Sequence, residues 1–160
     1  MLLKLLSTPN DLTLTLARVI LSMIFFAHGS QKMFGFFGGR GVAGTIAIFE
    51  QTMGIPAPLT VLAMTAEVFG AIGLFFGLFS RVAASGVLVV MIVAPFANHL
   101  YPNFFMNWQG RQMGEGYEYH LLAIALIVGV LVRGGGALSL DRLIANSRGA
   151  KPAIVLPESV

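Results

Sequence analysis

The chain has no cysteine among its 160 residues. That one absence excludes disulfides, thiol redox chemistry, Cys-held iron–sulfur clusters, covalent c-type haem attachment and palmitoylation. Any redox role must use a bound organic cofactor, a His-ligated metal or a partner protein. Charge is scarce too: charged residues make up 11% of the chain against 56% hydrophobic ones, and the mean hydropathy is +0.83. A chain of this size could not cover so much apolar side chain with so little polar surface in water, so its solvent is lipid. No internal repeat and no nucleic-acid-binding motif is present. The glycine-rich FGFFGGRG is not a dinucleotide fingerprint, because it follows a membrane helix and no strand precedes it.

What the sequence has instead is long apolar runs. A bilayer core needs about 20 apolar residues per helix, and four runs approach that, over residues 12–34, 59–79, 82–101 and 117–133. The expected fold is all-α, a polytopic membrane protein built as a four-transmembrane-helix bundle, one domain over residues 1–147 with a flexible cytoplasmic tail over 148–160. The first run reads as a retained span: only Lys4 precedes it, Pro9, Asn10 and Asp11 signal a helix start, and no small-x-small cleavage site follows. Ser80 and Arg81 alone link the second and third spans, making them antiparallel neighbours. Lys4, Arg81, Arg133, Arg142, Arg148 and Lys151 fall on one side, and Lys32, Arg40 and Arg111 on the other, which predicts cytoplasmic termini. That basic excess suits anionic headgroups rather than nucleic acid.

Finer patterning places the elements. Arg18, Ser22, Phe25, Gly29 and Lys32 form a polar and small stripe along the first span, suited to a bundle interior. Ala63, Ala66, Gly70, Gly73 and Gly77 form a small-residue seam on the second, open to close helix approach within the chain or between copies in a homo-oligomer. Val42, Ile46, Phe49 and Met53 share one face of a short interfacial helix in the first outer loop, stopped by Gly54 and Pro56. Pro95 is expected to kink the third span just before Asn98 and His99. Tyr101, Phe104, Phe105, Trp108, Tyr117 and Tyr119 make an aromatic belt. Ser139 reads as the N-cap of a brief amphipathic turn.

Two charges inside the apolar runs point to function. A charge at the bilayer centre costs roughly 2.5 to 3.5 kcal/mol on the lenient insertion scale, so Arg18 and Glu67 must face protein, water or an opposite charge. The spacing predicts that they pair with each other; such a pair could simply fix helix register. His28, His99 and His120 fall toward one leaflet, where three imidazoles could ligate a metal or haem, or hydrogen-bond headgroups and water. No Glu-x-x-His spacing supports a metal, so no metal ligand is assigned. Together with Lys32, Trp108, Glu118 and Tyr119 the histidines instead outline a polar pocket for an organic head group, bounded by spans one, three and four with Glu67 at its floor.

LARVILSMIFFAHGSQKMFGFFGGRGVAGT carries an Arg in the helix, then His-Gly and Lys before an FG-x-x-GG-x-G loop. AEVFGAIGLFFGLFSRVAA follows an acidic residue with glycines and a short Arg-containing turn, and EGYEYHLLAIALIVGVLVRGGGALSLDRLI ends in an SLD motif. In this order the three segments resemble the DoxX family of bacterial integral membrane proteins over about residues 12–145. Arg40 departs from a position where the family often has Pro, and His120 from one where it has an apolar residue or Pro. The resemblance implies a four-helix bundle in the bacterial inner membrane. It also implies redox work, since some relatives are linked to quinone-coupled sulfur oxidation, some to defence against quinones or oxidants, and some to a complex with a superoxide dismutase and a thiosulfate sulfurtransferase. The expectation is therefore a quinone-linked redox or oxidative-stress-related membrane subunit that couples a quinone-like molecule to a redox partner protein. Glu67 and His28 would carry protons, and Arg18, Lys32, His99, Trp108, Glu118, Tyr119 and His120 would bind the ring. The alternative is a non-catalytic scaffold or binding subunit of a redox complex; a small transporter has less support without inverted repeats.

Overall fold

The computed structural model describes residues 2–98, 103–111 and 115–149, and every regular element within them is a helix. Helix α1 (Leu2–Leu6) precedes α2 (Leu12–Phe34), and a 3-10 turn at Phe36–Gly38 leads to α3 (Gly41–Met53). Then come α4 (Ala57–Phe76), α5 (Ser80–Asn98), α6 (Glu118–Arg133) and α7 (Leu140–Ser147). The local chemistry explains most boundaries. Asp11 caps α2 by accepting from Thr13 N at 2.9 Å and Leu14 N at 3.1 Å, and the helix stops at Gly35, whose φ of 74° is left-handed. Gly54 ends α3 in the same way with φ 66°. Ser139 caps α7 through Arg142 N at 3.2 Å.

Three of these helices, α2, α4 and α5 from Ser80 to Ala97, are long and apolar enough to cross a membrane. Helix α6 has 16 residues, about 24 Å at 1.5 Å per residue, against roughly 30 Å for the hydrocarbon core. It nonetheless shares their core: Ala123, Ile127 and Val130 of α6 pack with Leu21 and Phe25 of α2, Ala71 and Leu74 of α4, and Val87 of α5. The outward faces are apolar. Leu16, Met23, Leu62, Phe69, Val89, Phe96, Leu122 and Val132 are each 61–68% exposed, an arrangement that only a lipid solvent tolerates.

The small-residue seam of α4 meets α5. A methyl group at Gly70 would lie 3.0 Å from Val87 Cγ2, and one at Gly73 would lie 3.2 Å from Ala83 Cβ. Gly29 does the same for α2 and α4, since a Cβ there would sit 2.8 Å from Val68 Cγ2 and 3.0 Å from Glu67 Cβ. The α4–α5 link differs from the sequence expectation. Ser80 and Arg81 already belong to α5, and the connection is Gly77–Phe79. Gly77 (φ 63°) and Phe79 (φ 48°) take left-handed conformations, Leu78 N closes onto Gly73 O at 2.9 Å, and Asp141 accepts from Phe79 N at 2.7 Å and Ser80 N at 2.8 Å. A remote carboxylate thus starts α5 two residues early. Helix α5 runs through Pro95 to Asn98; His99 and Tyr101 lie outside the described residues, as does the 151–160 stretch of the expected tail.

The bundle therefore has two ends. At the turn end lie the start of α2, the α4–α5 turn, the end of α6, and both α1 and α7. At the loop end lie the end of α2, α3, the start of α4 and the start of α6.

Candidate functional site

Each end holds a buried charge, with different partners. At the turn end Arg18, 1% exposed, spends its guanidinium on backbone carbonyls. Its Nε donates to Gly135 O at 2.6 Å, Nη1 to Leu74 O at 2.6 Å and Phe75 O at 2.5 Å, and Nη2 to Leu138 O. Leu74 and Phe75 are in the last turn of α4, where helical donors run out: Leu74 O is met only by the capping Gly77 N–H at 3.2 Å. Arg81 performs the same service for other helix ends: Nη1 donates to Leu5 O at 2.6 Å and Ser7 O at 2.8 Å, and Nε to Leu131 O at 3.1 Å. Thr8 accepts from Gly136 N at 2.7 Å, and Thr15 from Leu138 N at 3.2 Å.

Arg18 and Glu67 consequently do not pair. The carbonyls that hold Arg18 lie seven and eight residues beyond Glu67 on α4, about 10 Å along the axis. The side chain instead reaches toward its own end of the bundle, where several unmet carbonyls converge. Arg18 is thereby separated from the other residues proposed to bind a head group.

Glu67, 2% exposed, is held from the loop end by Lys32, whose Nζ lies 2.5 Å from Oε1 and 2.6 Å from Oε2. Lys32 leaves α2 near its C-terminus, and its side chain is 29% exposed, so the pair is closed on the Glu67 side and reachable from the Lys32 side. Gly29 brings α2 against α4 beside Glu67. Thr45 of α3 donates to Lys32 O at 3.1 Å, tying the short helix to the carrier of the ammonium group. His28 and Tyr119 face one another with ring centroids 6.5 Å apart and planes tilted by 48°, and Tyr119 meets His120 edge-on at 5.6 Å. The Tyr119 hydroxyl is buried without a hydrogen-bond partner among the described residues.

The loop end thus collects Lys32 with Glu67, and His28 with Tyr119 and His120. Glu118 accepts from Met106 N at 3.3 Å and fastens the 103–111 loop to the start of α6. Trp108 is 86% exposed and stands apart from these groups. His99 lies outside the described residues. Among the described residues no three His, Asp or Glu side chains come close enough to hold a metal ion. Two apolar grooves lie elsewhere: one of about 260 Å³ between α2 and α4, and one of about 330 Å³ under α7. Neither is lined by His28 or Glu67, unlike the expected pocket between spans one, three and four.

Sequence reasoning missed Asp141, Arg81, Thr8 and Thr15 as a connected layer, because their partners are backbone groups far along the chain. The SLD segment was the available signal for Asp141. The Lys32–Glu67 pair replaces the Arg18–Glu67 pair that the sequence spacing predicts.

Comparison with known proteins agrees with this architecture. The DoxX family model matches residues 13–100. The chain is 32% identical over 89 residues to the Bacillus subtilis protein named "Putative oxidoreductase CatD", a match covering 51% of this chain and 61% of that protein. It is 30% identical over 137 residues to an uncharacterised protein of Haemophilus influenzae, covering 80% of this chain and 87% of the relative. It is 28% identical over 131 residues to the Escherichia coli inner membrane protein YphA, covering 81% and 88%. No solved structure matches. With a family model spanning more than half its length and a bundle of apolar helices beneath it, this membrane protein belongs to the DoxX family.

Proposed function

We propose that the protein is a quinone-linked inner-membrane subunit with both termini cytoplasmic, and that its loop end receives the quinone ring. One observation carries this reading: a buried carboxylate paired to a partly exposed lysine, near an imidazole and a buried phenol that has no hydrogen-bond partner among the described residues. A quinone ring presents two carbonyl acceptors on an apolar body, and its reduction to the quinol takes up two electrons and two protons. Lys32, His28 and the Tyr119 hydroxyl are donors suited to those carbonyls. Glu67 is a carboxylate able to pass protons inward once Lys32 turns to a ligand, and His28 is the second proton carrier. Electrons would come from a redox partner protein, because the cysteine-free chain has no thiol centre of its own. The relative named as an oxidoreductase and the relative named as an inner membrane protein support the class and the compartment.

Titration of the detergent-solubilised protein with a soluble quinone analogue is the test. Saturable binding is expected, weakened by His28→Ala and Lys32→Ala with the fold intact. Glu67→Gln should slow proton-coupled turnover more than it weakens binding, since the amide keeps volume and hydrogen bonds but carries no proton. Saturable binding indifferent to all three substitutions would move the site elsewhere. No saturable binding would favour the scaffold subunit, a reading supported by the full mutual satisfaction of Lys32 and Glu67. Reporter fusions test the orientation: one after Val160 should be active in the cytoplasm and one near Trp108 outside it.

A further inference from the structure

The turn end has a feature that neither redox chemistry nor helix stitching uses. Phe75, Phe76, Leu138, Leu140 and Leu143 line an apolar groove of about 330 Å³ between the last turn of α4 and the exposed side of α7. Phe75 and Phe76 also line the α2–α4 groove of about 260 Å³, whose floor is made by Ser22 and Ala71, so the two form one track from the bundle's flank to its turn end. Leu138 and Leu143 are 70% and 66% exposed at its mouth. Leucines so exposed on a short helix and in the turn that leads into it, beside an apolar track, belong at the level where acyl chains begin.

The rim of this track is basic. Arg142, one residue before Leu143, donates through Nη1 to Asn10 Oδ1 at 2.6 Å and to Ala137 O at 3.3 Å, and Ala137 is itself a wall of the groove. Its guanidinium is held at the groove's edge, and among the described residues its Nε and Nη2 donate to nothing. Among the described residues the imbalance extends to the whole end: Lys4, Arg18, Arg81, Arg133, Arg142 and Arg148 are set against Asp11 and Asp141, and of these acids Asp141 is spent on Phe79 N and Ser80 N. At the loop end Lys32, Arg40 and Arg111 are outweighed by Glu50, Glu67, Glu115 and Glu118. An apolar track needs a chain-like occupant, and a fixed guanidinium at its mouth needs an anion. We propose that this track is a binding site for an anionic phospholipid, with an acyl chain along Phe75 and Phe76 and the phosphate on Arg142.

The test is thermal unfolding of the full chain in a neutral detergent, with added phosphatidylglycerol or phosphatidylcholine. Phosphatidylglycerol at saturation should raise the unfolding midpoint by about 5 °C, and phosphatidylcholine by much less. Arg142→Gln keeps a donor for Asn10 but drops the charge, and should abolish the difference between the lipids. Leu143→Gln, at an exposed position, should weaken the response to both lipids. Both variants should unfold at the wild-type midpoint without lipid, which separates lost binding from lost folding. Equal shifts with the two lipids, a phosphatidylglycerol effect that survives Arg142→Gln, or the same shift from glycerol phosphate alone would each overturn the proposal.

Discussion

The two ends of the bundle bury charge by opposite means. At the turn end a cation, Arg18, is neutralised by no single anion; it is shared among four carbonyls on two segments, with the planar guanidinium fitting several acceptors at once. At the loop end an anion, Glu67, is held by one flexible lysine that solvent or a ligand can reach. The first arrangement cannot change without taking the helix ends apart. The second can change by rotating one side chain. Buried charge inside a membrane protein is thus no guide to chemistry by itself; what matters is whether its partner is backbone or a movable side chain.

The largest expected effect breaks the turn end. Arg18→Leu takes the guanidinium from the Phe75, Gly135 and Leu138 carbonyls and leaves Leu74 O only the Gly77 N–H, and should cost about 4 kcal/mol, read as the unfolding midpoint in detergent. Adding Glu67→Leu should bring no recovery, because the two sites are independent. A recovery would restore the direct Arg18–Glu67 pairing.

At the loop end Lys32→Leu or Glu67→Leu alone should cost about 2–3 kcal/mol, less than Arg18→Leu because Lys32 remains partly exposed. Here the double variant should regain much of the loss, and an additive cycle would mean that the ion pair is not a working contact. Gly29→Ala should cost about 2 kcal/mol, since the new methyl would meet Val68 and the Glu67 Cβ at 2.8 and 3.0 Å. That variant should also shift quinone-analogue affinity, which Gly70→Ala, on the side of α4 that faces α5, should leave alone. The smallest effect belongs to Asp141→Asn, about 1 kcal/mol, because the amide still offers one acceptor to Phe79 N or Ser80 N but no charge to the start of α5.

Sequence periodicity anticipated the helices well because lipid imposes length and apolarity directly. The expected 12–34 span coincides with α2, the 117–133 span differs from α6 by one residue, and the short helix ending at Gly54 and the Ser139 cap are both present. The five-residue α1 was missed, being too short to show a period, and the α4–α5 turn was placed late, because Asp141 that starts α5 lies 61 residues away. Side-chain partners were less legible for the same reason. Arg18 binds oxygens that every residue carries, so nothing in the letters at 74, 75, 135 or 138 marks them as acceptors. Lys32 and Glu67 are 35 residues apart, and only the close approach at Gly29 brings them together.

Arg18 enters the membrane early in synthesis, whereas Gly135 and Leu138, which complete its set of acceptors, are made more than a hundred residues later. Until then the guanidinium has only the α4 carbonyls, and Gly77 faces open space where Ser139 will pack. The bundle's first three spans are therefore insufficient by themselves: the closing segment acts as a keystone, and a chain cut short before it would leave a charged arginine half-coordinated at the membrane boundary, a mark by which incomplete copies differ physically from finished ones.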